Sequence, residues 1–283
     1  MCTSPNAEQI RLWNELAGPR WARLEQTLDA QFASYATAIL RAAAPRAGEH
    51  AIDVGCGSGA LSAMLAECVG PTGSVLGVDV SEPLLERARA RLSGLRHVSF
   101  ATADAQEFEF DPGRRDLVCS RFGVMFFADP SAAFRNLLGA LRRGGRISFM
   151  CWDELKNNDW ARVPFEIALQ FVPPPPPKPA GTPGPFSMSD PERTRSVLEA
   201  AGFENIVIQR LDEPLRVGGG VGVAEAVELF LEIGPGAAVL REAEALPLDR
   251  VRQALEAALA GYERPEKGVE MGASAWLVSG QRA

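Results

Sequence analysis

HAIDVGCGSGALSAML (residues 50–65) passes from a short apolar run, through glycines at 55, 57 and 59, into a stretch with helical spacing of Leu61, Met64 and Leu65. A strand that turns through glycines into a helix is the opening unit of a parallel α/β sheet. Nucleotide-like ligands bind at that turn, beyond the carboxyl end of the strand. The rest of the chain repeats the pattern. SVLGVDV (74–80), HVSFATA (97–103), DLVCS (116–120) and RISFMCW (146–152) read as strands. Between them lie helices marked by Leu61, Met64, Leu65 and Cys68, by Leu84, Leu85, Ala88 and Leu92, and by Phe134, Leu137, Leu138 and Leu141. Ser81 is placed to N-cap the second helix. Asp129-Pro130 opens the third, which Gly144-Gly145 is expected to stop. Strands alternating with helices every ~20 to 30 residues predict right-handed crossovers and a mainly parallel sheet covered on both faces.

Upstream, Trp21, Leu24, Leu28, Phe32, Tyr35 and Ile39 recur at steps of three or four, which predicts one helix from Arg20 to Ala43 ended by Pro45. Downstream of Trp152 the rhythm breaks. PPPPPKP (173–179) and GTPGPF (181–186) are stiff and cannot join a ladder, so residues 152–190 read as an insertion. A helix from Ser189-Asp190-Pro191-Glu192 to Gly202 and a strand NIVIQRL (205–211) follow. Residues 218–262 form a second insertion, helical from about 223, and SAWLVSG (274–280) is an apolar final strand.

Composition narrows the partners. The 283 residues carry 29 basic and 36 acidic side chains, a net charge of −7 without a basic stripe. A small molecule is therefore expected, and neither nucleic acid nor an anionic membrane. Cys2, Cys56, Cys68, Cys119 and Cys151 fit no zinc spacing and, being odd in number, no closed disulfide framework, which suits a reducing cytoplasm. MCTSPNAEQI lacks an apolar signal core, and no apolar run approaches the roughly 20 residues of a membrane span. Secretion and membrane insertion are not expected.

The glycine turn alone admits two ligands. Gly55-x-Gly57-x-x-Ala60 with Asp79 about 20 residues on also satisfies a dinucleotide fingerprint, which keeps a nicotinamide-dependent oxidoreductase as a rival. Asp53 discriminates. A pyrophosphate ~5 Å from its carboxylate would cost on the order of 3 kcal/mol at an effective dielectric of about 20. S-adenosylmethionine brings an ammonium and a sulfonium instead, and the same term becomes favourable.

The ordered set DVGCGSG, GVDVS, TADAQ, SRFGVMFFADP and LRRGGRISFMCW, with the amino-terminal WNELAGPRW, resembles the class I S-adenosylmethionine-dependent methyltransferases, in particular the UbiE-like bacterial small-molecule branch. The resemblance spans most of the chain. It implies a Rossmann-like seven-stranded sheet of order 3-2-1-4-5-7-6 with the seventh strand antiparallel, a helical cap over residues 1–45, a cofactor-binding half over 46–151, and two lids within a single methyltransferase domain. Carried over by position, Gly55, Cys56 and Gly57 would lie under the methionine moiety of the cofactor, with Asp53 near its ammonium. Asp79 would accept the ribose hydroxyls, Val80 would pack on the adenine, and Asp104 with Ala105 would hold the adenine edge. Ser120, Arg121 and Phe122 would border the methionine, and Trp13 and Trp21 would close the pocket. The product would be S-adenosylhomocysteine.

Methyl transfer needs mainly alignment of nucleophile and methyl group, so a general base is optional. His50 and His97 begin strands on the far edge and read as structural. Arg121 suits either an anionic acceptor or a salt bridge. Asp153, Glu154 and Asp159 fit a solvated acidic face better than a magnesium site, and no metal is expected. Phe122, Phe126, Trp152, Trp160 and Phe186 suit a flat quinone, phenol, polyketide or heteroaromatic acceptor, and equally a core. The two insertions would cover that acceptor. A non-catalytic protein that only binds the cofactor stays open as a further alternative.

Overall fold

The computed structural model describes residues 6–243 and 245–283. Residues 1–5, with Cys2 and the first half of MCTSPNAEQI, and Glu244 within the second insertion lie outside the described residues. The strands are β1 (His50–Val54), β2 (Ser74–Asp79), β3 (Val98–Thr102), β4 (Arg115–Arg121), β5 (Leu141–Trp152), β6 (Glu204–Asp212), β7 (Leu215–Arg216), β8 (Glu263–Arg264), β9 (Gly268–Met271) and β10 (Ser274–Gln281).

Seven of them form one sheet of order β3-β2-β1-β4-β5-β10-β6, in which β10 runs antiparallel to both neighbours. This is the expected order with β10 as its reversed strand. Leu117–Ser120 of β4 and Ile147–Trp152 of β5 are buried at every position, as strands covered on both faces must be. The helix α4 (Ala33–Ala43) packs on β4, β5 and β10 beside α5 (Ala60–Val69), while α7 (Pro130–Ala140) and α9 (Pro191–Ala201) pack together against β5 and β6.

The amino-terminal stripe is three helices instead of one. α2 (Ala17–Arg23), α3 (Glu25–Gln31) and α4 are separated at Leu24 (φ −90°, ψ 13°) and Phe32 (φ −101°, ψ 11°). The breaks let the apolar stripe bend around the sheet edge, which a straight helix of that length cannot do. Before them come α1 (Ala7–Arg11) and a π-helical turn, Leu12–Leu16.

Other expectations shift for local reasons. α7 ends at Ala140, ahead of the glycines, because Leu141 pairs with Arg115 and has already joined β5; Gly144 (φ +73°) then shapes a bulge. Cys68 is exposed, and the buried stripe of α5 is Leu61, Ser62, Leu65, Ala66 and Val69. The second insertion carries α10 (Val223–Glu232), α11 (Gly234–Leu240) and α12 (Leu248–Leu259), and just past its end β8 joins a small antiparallel sheet that the sequence reading did not foresee, order β7-β9-β8. Phe230, Leu240, Val251, Leu255 and Leu259 form an apolar cluster apart from the main core, shared with α8 (Asp159–Ala168). The proline run 173–179 joins no strand, as read from its composition.

Arg146 ties these layers together at the amino end of the strands. Its guanidinium donates to the Ala43 and Ala44 carbonyls at 2.7 Å and to both oxygens of buried Glu49 at 2.8 Å. Those bonds hold the Glu49 carboxyl below its usual range against the upward push of burial. Arg146→Ala strands Glu49 and should cost about 3 kcal/mol. Thermal unfolding should show a midpoint lower by roughly 6 to 12 °C. Because the folded carboxyl titrates below the unfolded one, the ion pair stabilises above about pH 4.3 and is lost as pH falls below it, so variant and wild type should converge in acid.

Candidate functional site

The parallel strands β1, β2, β4 and β5 end on one edge of the sheet, and the residues singled out in the sequence collect there. The turn after β1 is built on glycines for two reasons. Gly55 (φ +65°) and Gly57 (φ +53°) take left-handed conformations that favour glycine. A Cβ on Gly55 would also stand 2.6 Å from the Cα of Gly123, in the loop that follows β4. The two loops touch backbone to backbone. Ser120 holds them there, its hydroxyl donating to the Val54 carbonyl (2.7 Å) and accepting from the Gly123 N–H (3.1 Å). Ser120 is fully buried, and through these two bonds it shapes the rim from beneath.

Asp53 lies beneath the glycine turn, 1% exposed, and accepts a hydrogen bond from Ser62 Oγ at 2.6 Å. Burial pushes its carboxyl up to about 7, against the opposing pull of the Ser62 bond and of Arg121. Asp79, at the end of β2, accepts from the N–H groups of Gly57 (2.8 Å) and Ser81 (2.9 Å), one on each oxygen. Burial raises its pKa as well, opposed by those bonds. Two acids thus flank the turn, each held rigidly. Cys56 is buried beside them, its thiol pushed well above the usual range by burial, so a nucleophilic role is closed to it. After β3, the carboxylate of Asp104 accepts from the backbone and side-chain amides of Gln106 (3.0 and 2.9 Å), and Ala105 is buried. A cavity of about 270 Å³ opens beside Asp104, lined also by Ile10, Ala103, Glu107 and Phe108.

The amino-terminal helices close over this rim through contacts that the sequence did not reveal. Asn14 reaches the start of α6 (Glu82–Arg91), donating to the Val80 carbonyl (2.8 Å) and accepting from the Glu82 N–H (3.1 Å). Asn14 therefore does the capping expected of Ser81, whose hydroxyl donates instead to the Trp13 carbonyl at 2.7 Å. Arg91 of α6 pairs with Glu25 and Asp29 of α3.

Past Asp53 lies a packed aromatic cluster. Phe122 adopts φ +64°, rare for a bulky residue, and its ring stacks on Trp152 with centroids 4.0 Å apart. From that pair the rings run on through Trp160 to Phe186, and through Phe32 to Trp21, Trp13 and Phe126. All five expected acceptor-facing aromatics belong to this set. Phe32 and Tyr35 belong to it too, although their spacing on the helical stripe pointed only to core. Tyr35 donates to the Glu213 carbonyl, and burial raises its pKa.

Arg121 ends β4 beside this cluster. Its guanidinium stands 5.4 Å over the Phe32 ring and makes one long bond, 3.5 Å, to the Phe32 carbonyl; burial lowers its pKa. Asp153 is buried, accepting from Asn157 (2.8 Å) and Ser274 (3.1 Å), so a solvated acidic face is the wrong description for it. Asp159 pairs with Arg162 and Tyr262. His50 meets Ser74 and His97 the Ala66 carbonyl, both away from the crevice. Among the described residues no helix is long and apolar enough to cross a membrane.

Comparisons with known proteins find likenesses to methyltransferases over part of the chain. Residues 51–145 match the family model described as a methyltransferase domain. Aklanonic acid methyltransferase DauC of Streptomyces sp. (strain C5) is 37% identical over 107 residues, 37% of this chain and 49% of that one. Demethylmenaquinone methyltransferase of Staphylococcus aureus is 29% identical over 143 residues, 50% of this chain and 59% of that one. The chain thus spans about half the length of these curated relatives. Phosphoethanolamine N-methyltransferase 2 of Haemonchus contortus, solved with phosphomonomethylethanolamine and S-adenosylhomocysteine, superposes with a TM-score of 0.53 at 18% identity, covering 88% of this chain and 52% of that one. At that identity the likeness speaks for the fold.

Asp53 yields a test that needs no ligand. Its carboxyl titrates near 3.9 unfolded and at about 7 folded, so the folded state gains a proton between those values. Stability from this group is fully present below the unfolded pKa and is lost as pH rises through the folded one, on the order of 4 kcal/mol in all. Asp53→Asn keeps an acceptor for Ser62 and removes the charge. Thermal unfolding should show the variant above wild type by several degrees at pH 8, with the gap closing toward pH 4.

Proposed function

We propose that this chain, whose residues 51–145 form a methyltransferase domain of the class I, UbiE-like type, transfers a methyl group from S-adenosylmethionine to a small, flat, largely apolar acceptor. The observation that carries the reading is the pair of buried acids at the glycine turn, Asp53 below it and Asp79 beside it. Asp79 suits the ribose of either ligand, but a dinucleotide's pyrophosphate would meet the Asp53 carboxylate, whereas a sulfonium and an ammonium are attracted by it. That contrast disfavours the nicotinamide oxidoreductase.

The residues fit this cofactor. Gly55 and Gly57 provide a turn without side chains in the way, the thiol of Cys56 between them is buried, and Asp53 would face the methionine ammonium. Asp79 keeps lone pairs for the ribose hydroxyls while its backbone bonds fix the carboxylate. Asp104 lines the cavity suited to the adenine, Val80 and Ala105 would complete that side, and Trp13 and Trp21 lie in the cap. When bound, the cofactor supplies an activated methyl group on a good leaving group. The chain then has to orient the acceptor, exclude water and hold the donor still. Phe122, Phe126, Trp152, Trp160 and Phe186 offer ring faces for orientation, and no general base is assigned.

Residues 152–190 and 218–262 are the proposed lids within one methyltransferase domain. They carry α8 and α10–α12, which share an apolar cluster, and Trp160 of α8 reaches from it to the Trp152 ring. A place in the cytoplasm, without nucleic-acid partners, belongs to the same reading.

Saturating S-adenosylhomocysteine, at about 100 times its dissociation constant, should stabilise the protein by ~2.7 kcal/mol and raise its melting point by roughly 5 to 10 °C, while NAD should not. Asp79→Ala should abolish that shift. Transfer of labelled methyl groups into extracts should yield a labelled small molecule, and none across several extracts would favour a non-catalytic binder. Hydrogen exchange in the two lids should slow on adding S-adenosylhomocysteine; equal rates with and without it would count against closure.

A further inference from the structure

Arg121 stands out among the buried charges of this edge because its neighbours are already spoken for. Asp29 is committed to Arg91, and Asp53 to Ser62. Among the described residues no ion pair engages Arg121, and of its five N–H donors one makes a bond, at 3.5 Å to the Phe32 carbonyl. Arg146, on the opposite edge, is saturated, donating to Glu49 and two carbonyls, while Arg115 there also keeps a buried Nε without a partner but stands far from the glycine turn and the rings. A guanidinium taken out of water without a partner is costly, and the fold gains little from this one beyond the Phe32 ring face. Its position is also particular. It caps β4 between the Asp53 turn and the ring cluster of Phe32, Phe122 and Trp152.

We propose that Arg121 is a carboxylate-binding residue, its planar fork receiving a carboxylate at the junction of the glycine turn and the aromatic cluster. A fork of parallel N–H donors matches a carboxylate in two bonds, and such charge-assisted pairs are the strong ones. The inference deepens the methyltransferase reading and rests on it for the identity of the two sources. One is the α-carboxylate of the cofactor's methionine end, which with Asp53 would complete a clamp for a zwitterion. The other is an acidic group on an aromatic acceptor whose ring lies among Phe122 and Trp152.

Isothermal titration of the full chain separates them. One arm compares S-adenosylhomocysteine with its analogue lacking the α-carboxylate. The other compares 1-naphthoate with 1-naphthamide. Wild type should prefer the acid in one pair by about tenfold or more, and Arg121→Gln should erase that preference while leaving the neutral partner within about threefold. Loss in the first pair assigns Arg121 to the cofactor, and loss in the second to the acceptor. A preference that survives Arg121→Gln, or its absence from both pairs in wild type, overturns the proposal. If wild type binds neither adenosyl compound, the methyltransferase reading fails, and the naphthoate pair still decides the carboxylate site. Should Arg121→Gln fail to fold, Arg121→Lys keeps the charge without the fork; it should weaken the preference several-fold, and an unchanged preference overturns the proposal.

Discussion

The contact between Gly55 and Gly123 is the constraint on which the whole crevice depends. Two loops from neighbouring strands meet at a separation that a single Cβ on either side would destroy. Ser120 clamps that contact from below. The consequence appears one residue earlier, where Phe122 is held at φ +64° with its N–H bonded to the Met150 carbonyl at 3.1 Å. A left-handed conformation costs a bulky residue roughly 1 to 2 kcal/mol, and it persists where the surroundings over-determine it. Here it turns the Phe122 ring onto Trp152. The turn suited to a donor and the rings suited to an acceptor are therefore set by one backbone contact.

Electrostatics at this edge run against stability. Asp53 and Arg121 are buried charges whose nearest polar partners are a hydroxyl and a distant carbonyl. Their mutual attraction through the interior opposes the push of burial on each. Neither forms an ion pair within the fold, which is the reverse of Arg146 and Glu49 at the opposite edge. Unpaired charge at the carboxyl ends of the strands and paired charge at the amino ends is the distribution expected where ligand binding, and not folding, completes the electrostatics.

Much of this was legible in the sequence. Strand positions, the glycine turn, the two acids and the reversed last strand follow from local pattern and from motif order. Alternation, glycine and N-cap chemistry act within a few residues, so the sequence exposes them directly. Long-range partners were not legible. Ser81 carries the local signature of an N-cap, yet Asn14, 68 residues away, takes the position and frees the hydroxyl for Trp13. Phe32 and Tyr35 read as core because helical spacing registers burial without saying what lies opposite. The position of Ser120 near a strand end is visible in the sequence, and its two bonds to the facing loops are not. The small sheet formed by β7, β8 and β9 escaped because strands of two to four residues lack a period to detect.

The cap and the second insertion come from opposite ends of the chain and are joined above the crevice. Arg23 bridges Glu232 at 2.7 Å, and Gln31 accepts from the Gly218 N–H at 2.8 Å. Tyr35 reaches the Glu213 carbonyl beneath them. The exposed ion pair contributes little, under about 1 kcal/mol. The part-buried bonds fix geometry. On the other side, Ser81 donates its N–H to Asp79 and its hydroxyl to Trp13, so one residue touches both the acid of β2 and the cap. Movement of the cap away from this rim breaks the Ser81 hydroxyl bond and both Asn14 bonds together, and strains the links to the second insertion. A ligand held by Asp79, as proposed, would thus act on the same residue that anchors the cap, and the cap is bonded in turn to the second insertion. Coupling of this kind needs no distant relay, because each step is a direct hydrogen bond or a shared side chain.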